Sequence, residues 1–186
     1  MGQIKALISD FDGTLVDTFE ANFQAYKKVF MEHCNYEMSR DFYKENFGLR
    51  IDDLCKKLNI EDPDEIGAIK FAKSKCYPSE FKHLKLNLQL LNIFCYAKKV
   101  GIKIALASTA SKKNLYNVLK YYELTEFFDV VICGEDVTQG KPNPEVYTVA
   151  LDKLGITPDE ALVFEDSEVG MKAAENAGIK FIKITI

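Results

Sequence analysis

Short apolar runs and apolar positions at helical spacing alternate along most of the chain. Nearly unbroken apolar runs predict buried strands at residues 4–8, 102–107, 130–132, 161–164 and 181–184. Helical patterns lie between the last four of these runs. Strands that alternate with helices and lack alternating polar positions predict a parallel sheet covered on both faces. We therefore expect an α/β fold with a doubly wound, Rossmann-like parallel core.

A long helical stretch separates the first predicted strand from the second. The residues that mark its helices are Phe19, Phe23, Tyr26 and Phe30 on an aromatic face, and Ser39, Asp52 and Asp62 at later helix starts. A polar connector is expected at residues 78–85. Because one crossover needs far fewer residues, we interpret residues 18–80 as an inserted α-helical cap domain. Residues 1–17 and 81–186 then form the core domain.

Charge and composition exclude several classes of function. The 186 residues carry a net charge of −4 without a basic block, so there is no electrostatic footprint for nucleic acid or an anionic membrane surface. A small soluble ligand is the expected partner. No apolar run approaches a membrane span, and the N-terminus lacks the regions of a signal peptide, so a cytoplasmic protein is expected. The five cysteines form no CxxC and neither histidine has a second ligand nearby in sequence, which argues against a disulfide framework and a zinc site.

Polar residues interrupt the pattern where predicted strands end. They are Asp10 and Asp12 after the first strand, Ser108 and Thr109 after the second, Lys141 in the loop after the third, and Glu165 and Asp166 after the fourth. In a parallel sheet these ends share one edge, where open α/β sheets place their sites. We expect the strand to end between Asp10 and Asp12 and the chain to turn at Gly13, so that the two acids do not lie on one continuous strand. Different roles are therefore expected for these two acids.

The composition of this edge points to a cation and a phosphate. Clustered carboxylates raise one another's pKa unless a cation is present, and a divalent ion held by oxygens, with magnesium as the best candidate, resolves the repulsion. A lysine and hydroxyl groups hold phosphoryl oxygens. Taken singly, each residue also has a structural explanation. Ser108 and Thr109 fit a helix cap, Lys141 fits a solvated loop, and Glu165 and Asp166 fit a helix N-terminus.

Four motifs follow one another in a specific order. They are DFDGTLVD at residues 10–17, a Ser or Thr after the second strand, Lys141-Pro142-Asn143-Pro144, and Glu165-Asp166-Ser167 followed by Gly170. Over nearly the whole chain this order resembles the haloacid dehalogenase superfamily of phosphohydrolases. The helical cap between the first two motifs is similar to the subgroup of phosphoglycolate phosphatases and β-phosphoglucomutases. Relatives usually continue beyond the fifth strand, which implies that Ile186 is either a truncated or a naturally short end.

The resemblance implies a role for each motif. Asp10 is the nucleophile that forms an aspartyl phosphate, and Asp12 is the general acid for the leaving oxygen and then the base for water. Lys141 balances charge and orients Asp10. The implied phosphate-binding residues are Ser108, Thr109, Gly13 and Lys141. The implied Mg²⁺ ligands are Asp10, Asp12 through its carbonyl, Asp166 and Glu165, with direct binding by Glu165 left open.

Three positions bear on the choice within the superfamily. Haloacid dehalogenases proper lack an acid at the position of Asp12, so Asp12 favours phosphate esters over carbon–halogen bonds. β-Phosphoglucomutases carry a histidine where this chain has Asn22, which favours a phosphatase over a sugar phosphomutase without excluding the latter. In the cap, Arg50 suits a carboxylate or second phosphate of the substrate, although a surface ion pair is the commoner role of such a residue.

The function predicted from the sequence is a magnesium-dependent phosphatase acting on a small phosphorylated metabolite. A receiver-type switch also holds an aspartyl phosphate, but such domains are shorter, lack a helical insertion and do not carry GTLVD after the nucleophile. A catalytically silent binding protein is a third class, which nothing in the motifs supports. Multiple turnover separates the enzyme from the switch. The natural substrate and the oligomeric state are left open.

Overall fold

The computed structural model describes residues 3–186. Within this range the strands are β1 (Ala6–Ser9), β2 (Val16–Asp17), β3 (Lys85–Leu86), β4 (Lys103–Ala107), β5 (Val130–Ile132), β6 (Ala161–Glu165) and β7 (Lys180–Lys183). Five of them form one parallel sheet in the order β5-β4-β1-β6-β7. β1 lies at the centre of this sheet, and Ser9 at its end is level with Leu106 of β4 and Phe164 of β6. The predicted α/β fold with a parallel core is confirmed.

The α-helices are α1 (Phe19–Cys34), α2 (Arg40–Glu45), α3 (Ile51–Lys57), α4 (Pro63–Cys76), α5 (Leu88–Lys99), α6 (Lys112–Tyr121), α7 (Glu145–Leu154) and α8 (Glu168–Asn176), and the 3₁₀ helices cover Tyr77–His83, Gly134–Asp136 and Pro158–Glu160. Helices cover both faces of the sheet. Ile8 and Val163 pack in a buried cluster with side chains of α7 and α8. Phe164 points to the other face, where its ring meets Phe94 of α5. The core is therefore doubly wound.

The chain divides into two compact units. One unit runs to Asp17 and continues over Lys85–Ile186, and it contains the parallel sheet; the other is Thr18–Leu84. The second unit is helical, with a buried cluster built on the aromatic face of α1. The boundary after Leu84 lies four residues beyond the predicted boundary after residue 80, because the 3₁₀ helix Tyr77–His83 packs against α1.

One local prediction is wrong, and one pair of strands was not predicted. Residues 78–85 are not a polar connector: Tyr77 and Phe81 are buried in the 3₁₀ helix, with their rings edge to face. Next to it, β3 pairs antiparallel with β2, so that Val16 faces Leu86. Both strands of this ribbon belong to the first unit, and they flank residues 18–84 in sequence. Neither strand is long enough to display an alternating pattern.

Helix capping in the inserted unit follows the sequence with small shifts. Ser39 accepts a hydrogen bond from the backbone N–H of Phe42, and Asp62 accepts one from that of Asp64. The third helix begins at Ile51 after Arg50, so its start lies before the predicted Asp52. Among the described residues, no helix combines the length and the apolar character of a membrane span.

Candidate active site

The candidate site begins where β1 ends. The backbone N–H of Asp10 donates to the carbonyl of Phe164 over 2.9 Å, so the strand pairing continues to Asp10 itself. Beyond it the chain turns, since Gly13 has φ of +87° and its N–H donates to the carbonyl of Val16. Asp12 is half-buried in this turn and pairs with Val16 through an isolated bridge. The turn thus separates the environments of the two acids, with Asp10 buried and Asp12 partly exposed.

Lys141 is a buried cation between two carboxylates. Its Nζ lies 2.5 Å from Oδ1 of Asp10 and 2.6 Å from Oε1 of Glu165, and its side chain is only 8% exposed. Burial alone would lower the pKa of Lys141, but the charges of Asp10 and Glu165 raise it well above the ordinary value. Lys141 therefore stays protonated. The alternative of a solvated loop lysine is excluded by these contacts.

Asp166 lies beside the turn of the first motif. Its Oδ1 accepts a hydrogen bond from Thr14 Oγ1 over 2.9 Å. A Cβ on Gly13 would lie 2.3 Å from Oδ2 of Asp166, and the positive φ at this position also favours glycine. Gly13 is therefore needed for the close approach of Asp166. Its N–H is already bonded within the turn, so the predicted phosphate contact by Gly13 stays a prediction.

Three carboxylates are close enough to share one ion. Ligand oxygens of Asp10, Glu165 and Asp166 all lie within 4.8 Å of one another. Burial raises the pKa of Asp10 well above its ordinary value, and the charges of Glu165 and Asp166 raise it further against the effect of Lys141. Burial also raises the pKa of Asp166 to about 6. Three acids facing one ammonium leave negative charge in excess, and an all-oxygen donor set with this charge fits Mg²⁺.

Ser108 and Thr109 follow β4, the neighbour of β1. Ser108 is buried, and its Oγ accepts a hydrogen bond from the N–H of Ala110 over 3.0 Å. The N-cap residue of α6 is Ser111, so neither Ser108 nor Thr109 caps that helix. A hydroxyl can accept and donate at once, so the proton of Ser108 is compatible with a bond to a phosphoryl oxygen.

Asn22 and Arg50 belong to the helical unit. Asn22 is buried, and its Oδ1 accepts a hydrogen bond from Nζ of Lys73 over 2.7 Å. Arg50 directly precedes α3, and its Nε and one terminal nitrogen are buried without a hydrogen-bond partner among residues 3–186. These two nitrogens therefore take no part in a surface ion pair with any residue of the range 3–186.

Two buried residues with polar contacts, Lys73 and Tyr147, were not identified from the sequence. Lys73 is buried on α4, one turn after buried Ile69, and its Nζ lies 3.8 Å from the centroid of the Tyr77 ring. A lysine at the spacing of an apolar face was a detectable signal. Tyr147 is buried on α7, and its hydroxyl lies 3.3 Å from Oε1 of Glu165. A tyrosine in an apolar helix pattern gave no such signal.

Comparison with known proteins places the chain in a family. A family model for haloacid dehalogenase-like hydrolases matches residues 7–184. A phosphorylated carbohydrates phosphatase of Thermotoga maritima is 33% identical over 186 residues, covering 96% of this chain and 84% of the relative. Crystal structures of CbbY from Rhodobacter sphaeroides, one with phosphate and one of a variant with xylulose-(1,5)bisphosphate, have TM-scores of 0.90 and 0.89 at 28% and 27% identity, each covering 99% of this chain and 87% of the other. The prediction that the protein is a hydrolase acting on phosphate esters is confirmed. The chain belongs to the haloacid dehalogenase-like hydrolase family.

Proposed function

We propose that the protein is a magnesium-dependent phosphatase that hydrolyses a small phosphorylated metabolite through an aspartyl phosphate on Asp10. The observation that carries this proposal is the buried ion pair of Lys141 with Asp10 beside the carboxylate of Asp166, at the carboxyl edge of the sheet. A strongly held lysine beside a potential nucleophile fits phosphoryl transfer, in which catalysis rests on positioning and charge stabilisation.

In the proposed reaction, one carboxylate oxygen of Asp10 forms a bond to phosphorus while the ester P–O bond breaks. Asp12 donates a proton to the leaving oxygen. Asp12 then takes a proton from water, the water oxygen bonds to phosphorus, and the bond from phosphorus to Asp10 breaks. Lys141 already binds Oδ1 of Asp10, so we assign attack to the other oxygen. Ser108, with Thr109, is proposed to bind the oxygens of the transferring phosphoryl group.

Asp10, the Asp12 carbonyl and Asp166 are the groups proposed to hold Mg²⁺. When bound, the ion supplies positive charge that stabilises the phosphoryl oxygens during transfer. Glu165 is less suited as a ligand, since both of its oxygens accept hydrogen bonds from protein groups.

Asp166→Ala is expected to raise the Mg²⁺ concentration for half-maximal activity by at least about tenfold, because second-shell losses alone cost a metal site that much. A magnesium titration of phosphate release measures it. Asp159→Ala, which removes an exposed acid outside the site, should leave the titration unchanged. An unchanged titration in Asp166→Ala would remove Asp166 from the metal site.

The substrate class is proposed to be phosphorylated carbohydrates with a second anionic group. One relative is named as a phosphatase of phosphorylated carbohydrates, and another was crystallised with a sugar bisphosphate. In addition, two buried nitrogens of Arg50 lack a hydrogen-bond partner among the described residues. Unpaired buried donors are costly, and a guanidinium fork matches a phosphate or carboxylate. Arg50 is therefore the residue proposed to recognise the second group.

Arg50→Lys is expected to raise KM for a sugar bisphosphate about 10- to 100-fold, the cost of losing hydrogen bonds to a charged group. For an aryl phosphate, which lacks a second anionic group, KM should not change. The matched control is Arg40→Lys, because Arg40 is the other arginine of the chain and forms an exposed ion pair with Glu20. An equal rise of KM for both substrates would contradict this role of Arg50.

Multiple turnover tests the proposed function directly. Purified protein is mixed with an aryl phosphate and a panel of sugar phosphates, sugar bisphosphates, phosphoglycolate, nucleotides and pyrophosphate, with Mg²⁺ or with a chelator. Phosphate released in large excess over enzyme, and only with Mg²⁺, is the expected result. Phosphorylation that stops at one equivalent would indicate a switch. Isomerisation of a sugar phosphate without release would indicate a mutase.

A further inference from the structure

Tyr147 places a hydroxyl group deep beneath the candidate site. It lies in the first turn of α7, where its N–H donates to the carbonyl of Pro144, and its side chain is fully buried among core residues. The hydroxyl lies 3.3 Å from Oε1 of Glu165. Burial raises the pKa of Tyr147 above its ordinary value, so the hydroxyl keeps the proton that it donates. Packing alone would be served equally by phenylalanine.

Glu165, the acceptor of this bond, is held on every side. Oε1 also accepts from Nζ of Lys141 over 2.6 Å, while Oε2 accepts from the N–H and the hydroxyl of Ser167 over 2.8 and 3.1 Å. A Cβ on Gly170 would lie 1.7 Å from Oε1, so glycine is required for this position of the carboxylate. Glu165 is thereby fixed as the buried counterion of Lys141.

The ammonium of Lys141 is held in place by contacts with Glu165, Asp10 and Tyr147. Its Nζ bonds to Oε1 of Glu165 and to Oδ1 of Asp10, and it lies 5.0 Å from the centroid of the Tyr147 ring. The tyrosine therefore acts on the ammonium in three ways: through its hydroxyl on Glu165, through a direct hydrogen bond of that hydroxyl with Lys141, and through the ring face. A shift of Glu165 would move the ammonium relative to Asp10.

We propose that Tyr147 is a positioning residue, whose hydroxyl fixes Glu165 and through it holds the ammonium of Lys141 against Asp10. This inference rests on the proposed phosphatase function, because it concerns the geometry of the same nucleophile. Tyr147 itself touches neither the reacting atoms nor Asp166 in the described contacts. Its contribution is therefore to the rate of the chemical step and not to the binding of substrate.

Tyr147→Phe keeps the ring and removes the hydroxyl. We expect kcat for a phosphate ester to fall on the order of tenfold, the loss seen when an outer residue that orients the groups of a site is changed. KM and the unfolding temperature should stay near the wild-type values. Replacement of Tyr147 by 4-aminophenylalanine, which restores an N–H donor, should recover most of the lost kcat. Tyr116→Phe is the control, since Tyr116 lies on α6 and has no part in the site.

A double-mutant cycle tests the route through Glu165. In a Glu165→Met background, where no side-chain oxygen is left to accept from the hydroxyl, Tyr147→Phe should cause a smaller loss of kcat than it does in the wild type. Unchanged kcat in Tyr147→Phe, or a full additional loss in the Glu165→Met background, would overturn the proposal. So would a loss of kcat that 4-aminophenylalanine does not recover. An inactive wild-type protein would instead refute the proposed function, and the positioning role with it.

Discussion

Asp10→Asn is expected to abolish phosphate release, lowering kcat by a factor on the order of 10⁴ or more, as loss of a nucleophile does in other covalent enzymes. The amide oxygen cannot take the place of a carboxylate in attack on phosphorus. The substitution also removes one of the three carboxylates that lie together at the edge of the sheet. Asparagine has nearly the same shape, and its Oδ1 can still accept the bond from Lys141. The fold should therefore stay intact.

Steady-state phosphate release from the variant and the wild type, with thermal unfolding of both, measures this prediction. Asp17→Asn is the matched control, because Asp17 belongs to the same motif but forms an exposed ion pair with Lys85. We expect Asp17→Asn to retain activity of the same order as the wild type. Phosphate release by Asp10→Asn at the wild-type rate would show that Asp10 is not the nucleophile.

Lys141→Met is expected to impair both activity and stability. Removing one partner of a buried ion pair costs about 3–5 kcal/mol of unfolding free energy, because Asp10 and Glu165 would keep their burial without a counterion. The same change removes the charge proposed to orient Asp10 and stabilise the transferring phosphoryl group, so kcat should fall at least about 10³-fold. Methionine fills a similar volume, which confines the effect to charge and hydrogen bonding.

Urea unfolding without added Mg²⁺ gives the free energy, and phosphate release gives kcat. The destabilisation should shrink as the pH falls, since Asp10, whose pKa is raised in the folded protein, then takes up a proton and no longer needs a cation. Lys172→Met, which removes an exposed ion pair with Glu175, should change neither quantity by much. A variant as stable as the wild type at neutral pH would contradict the buried ion pair.

The sequence predicted the sheet well because buried parallel strands leave a strong signal. Apolar runs such as 130–132 and 161–164 need no partner to be recognised, and the order of the motifs placed Asp10, Lys141 and Asp166 in one family pattern. The pairing of β2 with β3 was missed, since two residues per strand carry no period. The 3₁₀ helix Tyr77–His83 was missed because most of its residues are polar, although Tyr77 and Phe81 are buried.

The sequence indicated which residues belong to the candidate site, but it did not indicate how their side chains are buried or which groups they contact. Nothing in the loop sequence around Lys141 indicates that its side chain is buried between Asp10 and Glu165. Glu165 and Tyr147 lie 18 residues apart in sequence and meet only because α7 packs against the parallel sheet that contains Glu165. Likewise, the bond between Lys73 and Asn22 joins residues 51 apart. Such contacts depend on tertiary packing and leave no local pattern.

The formation of an aspartyl phosphate on Asp10 can be measured in an Asp12→Asn variant given p-nitrophenyl phosphate and Mg²⁺. This leaving group needs little protonation, so attack by Asp10 should proceed, while hydrolysis of the intermediate should stall without its base. We expect a stoichiometric burst of p-nitrophenol and, after borohydride reduction and peptide mass spectrometry, conversion of Asp10 alone to homoserine. A burst with the reduced residue elsewhere, or steady release of phosphate with no modification of Asp10, would contradict it.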